Sequence, residues 1–71
     1  MIERTTFINK LIDSGFILVA SGEKTQTFSK SSKHLYVLVS RDPLLDNEYI
    51  RSIFKKCDLE EVEDFISQYS K

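Results

Sequence analysis

The sequence predicts a two-layer α+β domain, in which a three-stranded antiparallel sheet carries helices on one face. The predicted order is one helix, three strands, a second helix and a short final helix. Apolar residues recur at helical spacing on both sides of a central stretch. That stretch instead has short apolar or alternating runs joined by brief polar turns. Since consecutive strands with short turns pair antiparallel, the centre of the chain is predicted to be a meander.

Length and composition indicate one small domain with one hydrophobic core. The chain has 71 residues, of which 41% are hydrophobic and 30% are charged. A single cysteine, Cys57, cannot form an internal disulfide, and neither a signal-peptide pattern nor an apolar run of membrane-spanning length occurs. We therefore expect a soluble protein of the reducing cytoplasm that contacts no membrane. One cysteine and one histidine are too few for a structural zinc site, so neither a metal nor another cofactor is expected.

The overall charge of −1 conceals an asymmetry along the chain. Residues 1–57 carry nine Lys/Arg against six Asp/Glu, whereas residues 58–71 carry one Lys against five acids. The two parts are predicted to favour partners of different charge, unless the acidic part is only a solvated helix end.

The first helix is predicted at about 5–14, with Thr5 or Thr6 as its N-cap. Gly15 lies where a left-handed residue would end this helix. Residues 1–4 are predicted either to extend the helix or to fray. The predicted core face of the helix consists of Phe7, Ile8, Leu11 and Ile12.

The strands are predicted at about 16–21, 25–30 and 35–40, and residues 15–28 are predicted to be the structural centre of the chain. The apolar run 16–20 predicts a buried first strand. In the middle strand, Gln26 and Phe28 are expected on one face and Thr25, Thr27 and Ser29 on the other.

Two further helices are predicted at about 47–57 and 59–69. Asp46 is the expected N-cap of the first, whose apolar stripe is Ile50, Ile53, Phe54 and Cys57. Asp58 is the expected N-cap of the last helix, with Glu61 three residues later as in a capping box. The predicted apolar stripe of that helix is Leu59, Val62, Phe65, Ile66 and Tyr69.

Few residues could carry catalysis. His34 is the only histidine and therefore the only candidate for a titrating base near neutral pH. No nucleophile or carboxylate is adjacent to it in sequence, which favours a solvent-facing or capping role. Cys57 lies in an apolar stripe and is interpreted as a small buried hydrophobe rather than a reactive thiol. The sequence thus favours a protein that is not an enzyme.

The meander carries most of the candidate binding residues. Tyr36 and Leu38 are expected on the strand face opposite Leu35, Val37 and Val39, so that one set is exposed unless a partner covers it. Basic side chains lie in or near the same region and, with hydroxyl groups, could hold RNA phosphates. An ordinary solvated sheet face with edge lysines is the alternative. The candidate polar residues are Lys24, Thr25, Thr27, Lys30, Lys33 and Arg41.

With these elements placed, residues 7–66 resemble the HicA (YcfA-like) toxin family, whose members have a double-stranded-RNA-binding-domain-like fold. Residues 11–19 are similar to the family's opening helix, glycine-aromatic break and first strand. Residues 50–59 are similar to its second helix, often written Leu-Arg-Ser-Ile-Leu-Lys-Gln-Ala-Gly-Leu. The resemblance implies a ribonuclease fold and a protein antitoxin that covers the RNA-facing surface.

The chain departs from the family at the catalytic histidine. The family carries Gly-Ser-His just before an aromatic residue of the middle strand. When that aromatic is set on Phe28 without gaps, Thr25 takes the histidine position. The sequence therefore predicts a non-catalytic HicA-like module that binds a protein, either a host factor or an antitoxin-like protein. Alternatives are RNA binding, an RNA-cleaving toxin that uses His34, and a structural homodimer.

Overall fold

The computed structural model describes residues 1–70 and confirms the predicted α+β fold. Three strands form an antiparallel sheet in the order β2-β3-β4, and two very short strands, β1 and β5, pair separately. The elements are β1 (Ile2–Glu3), α1 (Arg4–Asp13), β2 (Ile17–Ser21), β3 (Thr25–Lys30), a 3₁₀ turn (Ser31–Lys33), β4 (Leu35–Ser40), β5 (Leu44–Leu45), α2 (Asn47–Lys56) and α3 (Val62–Tyr69).

Strand register assigns the paired side chains of the sheet to its two faces. Phe28, at the centre of β3, lies opposite Leu18 and Val37, so these three share the helix-facing side. Gln26 lies opposite the buried Val39 on that side as well. Thr25, Thr27 and Ser29 consequently lie on the opposite face, as the alternation of the sequence predicted.

The core lies between the helices and the inner sheet face. An aromatic cluster joins the three helices: the ring centroids of Phe7 and Phe54 are 6.2 Å apart, those of Phe54 and Phe65 5.3 Å, and those of Phe7 and Phe65 6.4 Å. Aromatic ring pairs of this kind stabilise a fold by more than the burial of their apolar area alone would give. The apolar stripe predicted for α2 is confirmed, because Ile50, Ile53, Phe54 and Cys57 are all buried.

The prediction that the first strand is buried is wrong. All five residues of β2 are exposed, and only Phe16, just before the strand, is buried. β2 is an edge strand, and its pairing with β3 is interrupted by a bulge at Val19, between Leu18 and Ala20. Although Leu18 belongs to the helix-facing side, it is 49% exposed. The helical layer therefore stops short of this edge.

The start of α1 also differs from the prediction. The N-cap is Glu3, without a side-chain capping bond, rather than Thr5 or Thr6. Instead of extending the helix or fraying, Ile2 and Glu3 pair with Leu45 and Leu44. Ile2 is fully buried, whereas Ile12, predicted on the core face, is 53% exposed.

Arg4 links the first turn of α1 to the sheet. Its Nε donates to the Ser40 carbonyl at 2.6 Å, and its Nη2 donates to the side-chain amide oxygen of Gln26. Its backbone N–H donates to the Pro43 carbonyl at 2.9 Å. Charge-assisted bonds of this kind fix the helix layer relative to β3 and β4.

Gly15 ends α1 as predicted. Its φ is +99°, and its N–H donates to the Ile12 carbonyl at 3.0 Å. The N–H of Phe16 donates to the Leu11 carbonyl at 3.0 Å, which completes a Schellman motif. Phe16 and Leu11 are both buried, so the motif also has its apolar contact and directs the chain into β2.

Asp58 ends α2 rather than starting α3, which corrects the prediction. The N–H of Leu59 donates to the Phe54 carbonyl at 2.8 Å, and Asp58 has φ +54°. This is a second Schellman motif, with an aspartate where glycine is usual. α3 starts at Val62, after Glu61 at φ +63°, and Asp46 is the N-cap of α2 without a side-chain capping bond.

The apolar stripe predicted for α3 is only partly buried. Phe65 and Ile66 are in the core, Leu59 and Val62 are half-buried, and Tyr69 is 41% exposed. Arg51 of α2 links α2 to α3 by donating hydrogen bonds to both carboxylate oxygens of Glu63, at 2.9 and 3.1 Å. This pairing lowers the pKa of Glu63 and raises the pKa of Arg51.

Replacing Asp58 by glycine is expected to stabilise the protein. A left-handed backbone costs a non-glycine residue roughly 1–2 kcal/mol, so Asp58→Gly should raise the free energy of unfolding by about 1 kcal/mol. The side-chain loss is small, because the Lys33–Asp58 ion pair spans 3.5 Å between exposed groups. Urea unfolding followed by circular dichroism measures the change. Asp58→Ala is the control, since it removes the same carboxylate but keeps a Cβ. If the glycine variant were no more stable than the alanine variant, the strain assigned to this turn would be wrong.

Candidate binding surface on the outer sheet face

The face of the sheet that no helix covers is the candidate site, and we call it the outer sheet face. Its side chains form rows across the strands. One row contains Ile17, Ser29 and Tyr36, the next contains Ala20, Thr27 and Leu38, and the last contains Thr25 and Ser40. Thr25, Thr27, Tyr36 and Leu38 therefore lie on one face of the sheet.

Large apolar side chains on this face remain in contact with solvent. Ile17 is 64% exposed, Tyr36 67% and Leu38 57%. Ser29, between Ile17 and Tyr36 in its row, is only 8% exposed. A patch of neighbouring apolar groups with hydroxyls among them is typical of a surface that binds a partner.

Two of the predicted cations lie together at the turn between β2 and β3. The backbone N–H of Arg41 donates to the Lys24 carbonyl at 3.0 Å, and its Nη1 donates to the Gly22 carbonyl at 3.3 Å. Lys24 and Arg41 are both exposed. The end of β4 is thus tied to the turn between β2 and β3, where the exposed acids Glu23 and Asp42 adjoin the two cations.

The other two predicted cations, Lys30 and Lys33, lie elsewhere. Lys30 lies opposite Leu35 on the helix-facing side, its chain passes over Gly15, and its Nζ is 5.9 Å from the ring centroid of Phe16. Lys33 lies in the 3₁₀ turn and pairs with Asp58 at 3.5 Å. The predicted basic residues are therefore divided among three places.

His34 stands in a left-handed turn, at φ +53°, and its side chain is exposed. No described nucleophile or carboxylate is hydrogen-bonded to it. Cys57 is buried, and burial raises the pKa of its thiol, which favours the unreactive protonated form. Within residues 1–70, no group of three His, Cys, Asp or Glu residues is arranged to hold a metal ion.

The two edges of the sheet differ in a way the sequence did not reveal. At the β4 edge, the Tyr49 hydroxyl accepts from the Ser40 N–H at 3.0 Å and donates to the Leu38 carbonyl at 3.2 Å. Tyr49 thus occupies two outward backbone groups of β4, the Ser40 N–H and the Leu38 carbonyl. At the β2 edge, no described residue does this. In an antiparallel sheet, the backbone groups of successive residues face alternately toward and away from a neighbouring strand. Leu38 and Ser40 face away from β3, and the register therefore places the N–H and C=O of Leu18 on the side of β2 that faces away from β3.

A polar cleft of about 470 Å³ lies away from the sheet, between α1 and α3. Lys10 and Asp13 line it from α1, and Asp64 and Tyr69 from α3. None of the predicted binding residues reaches it, so the cleft and the outer sheet face are separate surfaces.

Comparison with known protein families, curated protein sequences and solved structures gave no match to this chain. The resemblance to HicA toxins therefore stays a prediction. Within the described residues, no helix has the length and apolar character needed to cross a membrane.

Replacing Tyr49 by phenylalanine is expected to open the β4 edge. Tyr49→Phe leaves the Ser40 N–H and the Leu38 carbonyl without their partner, so unfolding should become easier by about 1 kcal/mol. Amide exchange at Ser40, followed by NMR, should accelerate. Tyr69→Phe is the matched control, because no described residue is hydrogen-bonded to the Tyr69 hydroxyl. Unchanged exchange at Ser40 in Tyr49→Phe would show that the hydroxyl does not protect this edge.

Proposed function

We propose that this chain is a non-catalytic, HicA-like module that binds a protein partner through its outer sheet face. The observation that carries the proposal is the exposure of Ile17, Tyr36 and Leu38 on one uncovered face of the sheet. Burying such groups against a partner is favourable, by about 25 cal/mol for each Å² of apolar surface.

The chemistry of the face favours a protein over RNA. An RNA surface needs cations aligned along a backbone, whereas Lys30 lies on the other side of the sheet and Lys33 is already paired with Asp58. Large apolar and aromatic side chains on the two flanking strands, Ile17 on β2 and Tyr36 and Leu38 on β4, are typical of a protein interface. Between them, Thr25 and Thr27 on the middle strand supply hydroxyl groups for hydrogen bonds.

Two features support the HicA-like part of the proposal. The sheet and helices follow the order expected for the family. Asp58, at φ +54°, stands where the family motif has glycine, a residue that adopts this conformation without strain. Thr25, which is matched to the family's catalytic histidine, lies on the outer sheet face. In this proposal that face binds a partner and does not cleave RNA.

The resemblance suggests the kind of partner. A HicA toxin is held by an antitoxin, so the partner here is an antitoxin-like protein or a host factor. A small protein of a phage or mobile element that inhibits a host factor would fit a domain of this size without catalytic groups. The alternatives are RNA binding, RNA cleavage by His34 and a homodimer.

Capture from a lysate of the cells in which the chain is native tests the proposal. The tagged protein should retain a protein partner after nuclease treatment. Leu38→Asp and Tyr36→Asp should each reduce the captured amount roughly tenfold, because the new charge is left unpaired where an apolar side chain was buried by the partner. Leu44→Asp is the matched control: Leu44 is 46% exposed but lies in β5, outside the outer sheet face.

Several outcomes would contradict the proposal. Equal capture by Leu38→Asp and Leu44→Asp would remove the outer sheet face from the interaction. Capture that disappears with nuclease, or RNA affinity that falls steeply with salt, would favour RNA. Growth arrest on expression that His34→Ala relieves would favour the toxin. A dimeric mass in sedimentation, lost in Leu38→Asp, would favour the homodimer.

A further inference from the structure

We propose that the partner places an amphipathic helix along β3 of the outer sheet face, and that glutamine side chains of this helix bond the hydroxyls of Thr27 and Ser29. The inference rests on the proposed function, because it takes the partner to be a protein that covers this face. It goes further by assigning the partner's secondary structure and the side chains that distinguish it from other apolar partners.

The first observation concerns the hydroxyl groups along the middle of the face. Thr25, Thr27 and Ser29 occupy alternate positions of β3. Within the described part of the chain, none of their hydroxyls has a hydrogen-bond partner, and none is closed off from solvent. Ser29 is only 8% exposed, although Ile17 and Tyr36 beside it are 64% and 67% exposed. β3 therefore presents unpaired hydrogen-bonding groups, one of them on a residue that is more than nine-tenths buried.

These hydroxyls restrict what can cover the face. Solvent can bond them in the free protein, and a partner that covers them removes this solvation. A hydroxyl that is buried without a hydrogen bond is costly. A purely apolar surface is therefore expected to bind less tightly than a surface that places a polar group over β3.

The charges around the face indicate that this polar group is uncharged. The rows of the outer sheet face contain no charged residue. At the turn between β2 and β3, two cations adjoin two acids, and at the other end of the sheet Lys33 is paired with Asp58. The four residues of the turn end are Glu23, Lys24, Arg41 and Asp42. A charge of the partner buried over β3 would lack an opposite charge, which makes its burial unfavourable.

The separation of packed layers favours glutamine among the uncharged polar side chains. A layer packed on a sheet lies about 10 Å away. A serine hydroxyl oxygen is roughly 2.4 Å from its Cα, and the hydrogen bond adds about 2.8 Å. The partner's polar atom must therefore reach about 5 Å from its own Cα, as a glutamine amide does. Serine, threonine and asparagine are shorter, and tyrosine is longer.

The same distances disfavour a second copy of the chain packed face to face. Two opposed rows of serine and threonine hydroxyls on layers about 10 Å apart would remain about 5 Å from each other. That separation is too long for a hydrogen bond. The hydroxyls of both copies would then be buried without partners.

The spacing of the hydroxyls and the width of the face fit a helix. Thr27 and Ser29 are about 6.7 Å apart along β3, and side chains at i and i+4 of a helix are about 6 Å apart along its axis. β2 and β4 lie about 9.6 Å from each other, close to the helix width of about 10 Å. Apolar side chains beside the glutamines would then contact Ile17 on one side and Tyr36 and Leu38 on the other.

A defined peptide tests the inference on the full chain. The probe is fluorescein-labelled Leu-Glu-Ala-Gln-Leu-Lys-Leu-Gln-Glu-Ala-Leu-Leu-Lys-Ala, with lactam bridges between its two Glu and Lys pairs to hold it helical. Binding is followed by fluorescence anisotropy. We expect saturable binding, weaker by roughly fivefold when both glutamines are replaced by leucine. Replacement of both by glutamate should weaken binding further, because the face offers no opposite charge.

Ser29→Ala separates the proposed hydrogen bond from apolar contact. Without the hydroxyl, the glutamine amide is left unpaired, so the leucine peptide should now bind at least as tightly as the glutamine peptide. Ser32→Ala is the matched control, because Ser32 is exposed in the 3₁₀ turn, and it should keep the preference for glutamine. Thr27→Val removes a second hydroxyl and should also reduce this preference. It replaces Ser29→Ala if circular dichroism melting shows that the alanine variant does not fold.

Four outcomes would overturn the inference. They are no saturable binding of the glutamine peptide, equal affinity of the wild type for the glutamine and leucine peptides, an unchanged preference in both Ser29→Ala and Thr27→Val, and unchanged peptide binding in Leu38→Asp. The proposed function fails separately, if Leu38→Asp leaves protein capture unchanged. If capture depends on Leu38 but the peptides show no preference for glutamine, the inference fails and the proposed function stands.

Discussion

One layer of helices can cover only one face of a three-stranded sheet, and this constraint determines the rest of the molecule. The aromatic cluster of Phe7, Phe54 and Phe65 holds the three helices together above Phe28 and its neighbours on the inner face. With 71 residues, the helices cover β3 and β4 but stop short of β2. The outer sheet face consequently stays open, and the proposed protein contact follows from that arrangement.

Periodicity was enough to predict the fold class and most elements. The alternation of β3 and β4 assigned Thr27, Tyr36 and Leu38 to their face, because side-chain direction in a strand depends only on residue parity. The apolar run of β2 was misleading for a related reason. Such a run is typical of a buried strand, but it contains no information about whether helices reach that strand.

The remaining errors concern contacts between distant parts of the chain. The pairing of Ile2 with Leu45 and the capping of β4 by Tyr49 join segments whose sequences show no pattern for them. Asp58 was assigned to the wrong helix because aspartate suits an N-cap, while the backbone here needed a left-handed residue. Lys30 and Lys33 are close in sequence to the other binding candidates, and the sequence therefore groups them together. Their partners in the fold, Phe16 and Asp58, come from other elements, which residue spacing does not show.

Hydrogen exchange of the captured complex tests the central claim most directly. The free protein and the complex eluted from capture would be compared by mass spectrometry, peptide by peptide. The account predicts slower exchange in β2 and β4 of the complex, at residues 17–21 and 35–40, with residues 4–13 and 62–69 unchanged. Slower exchange confined to α1 and α3, which line the polar cleft, would contradict it and place the working surface on the opposite side of the molecule.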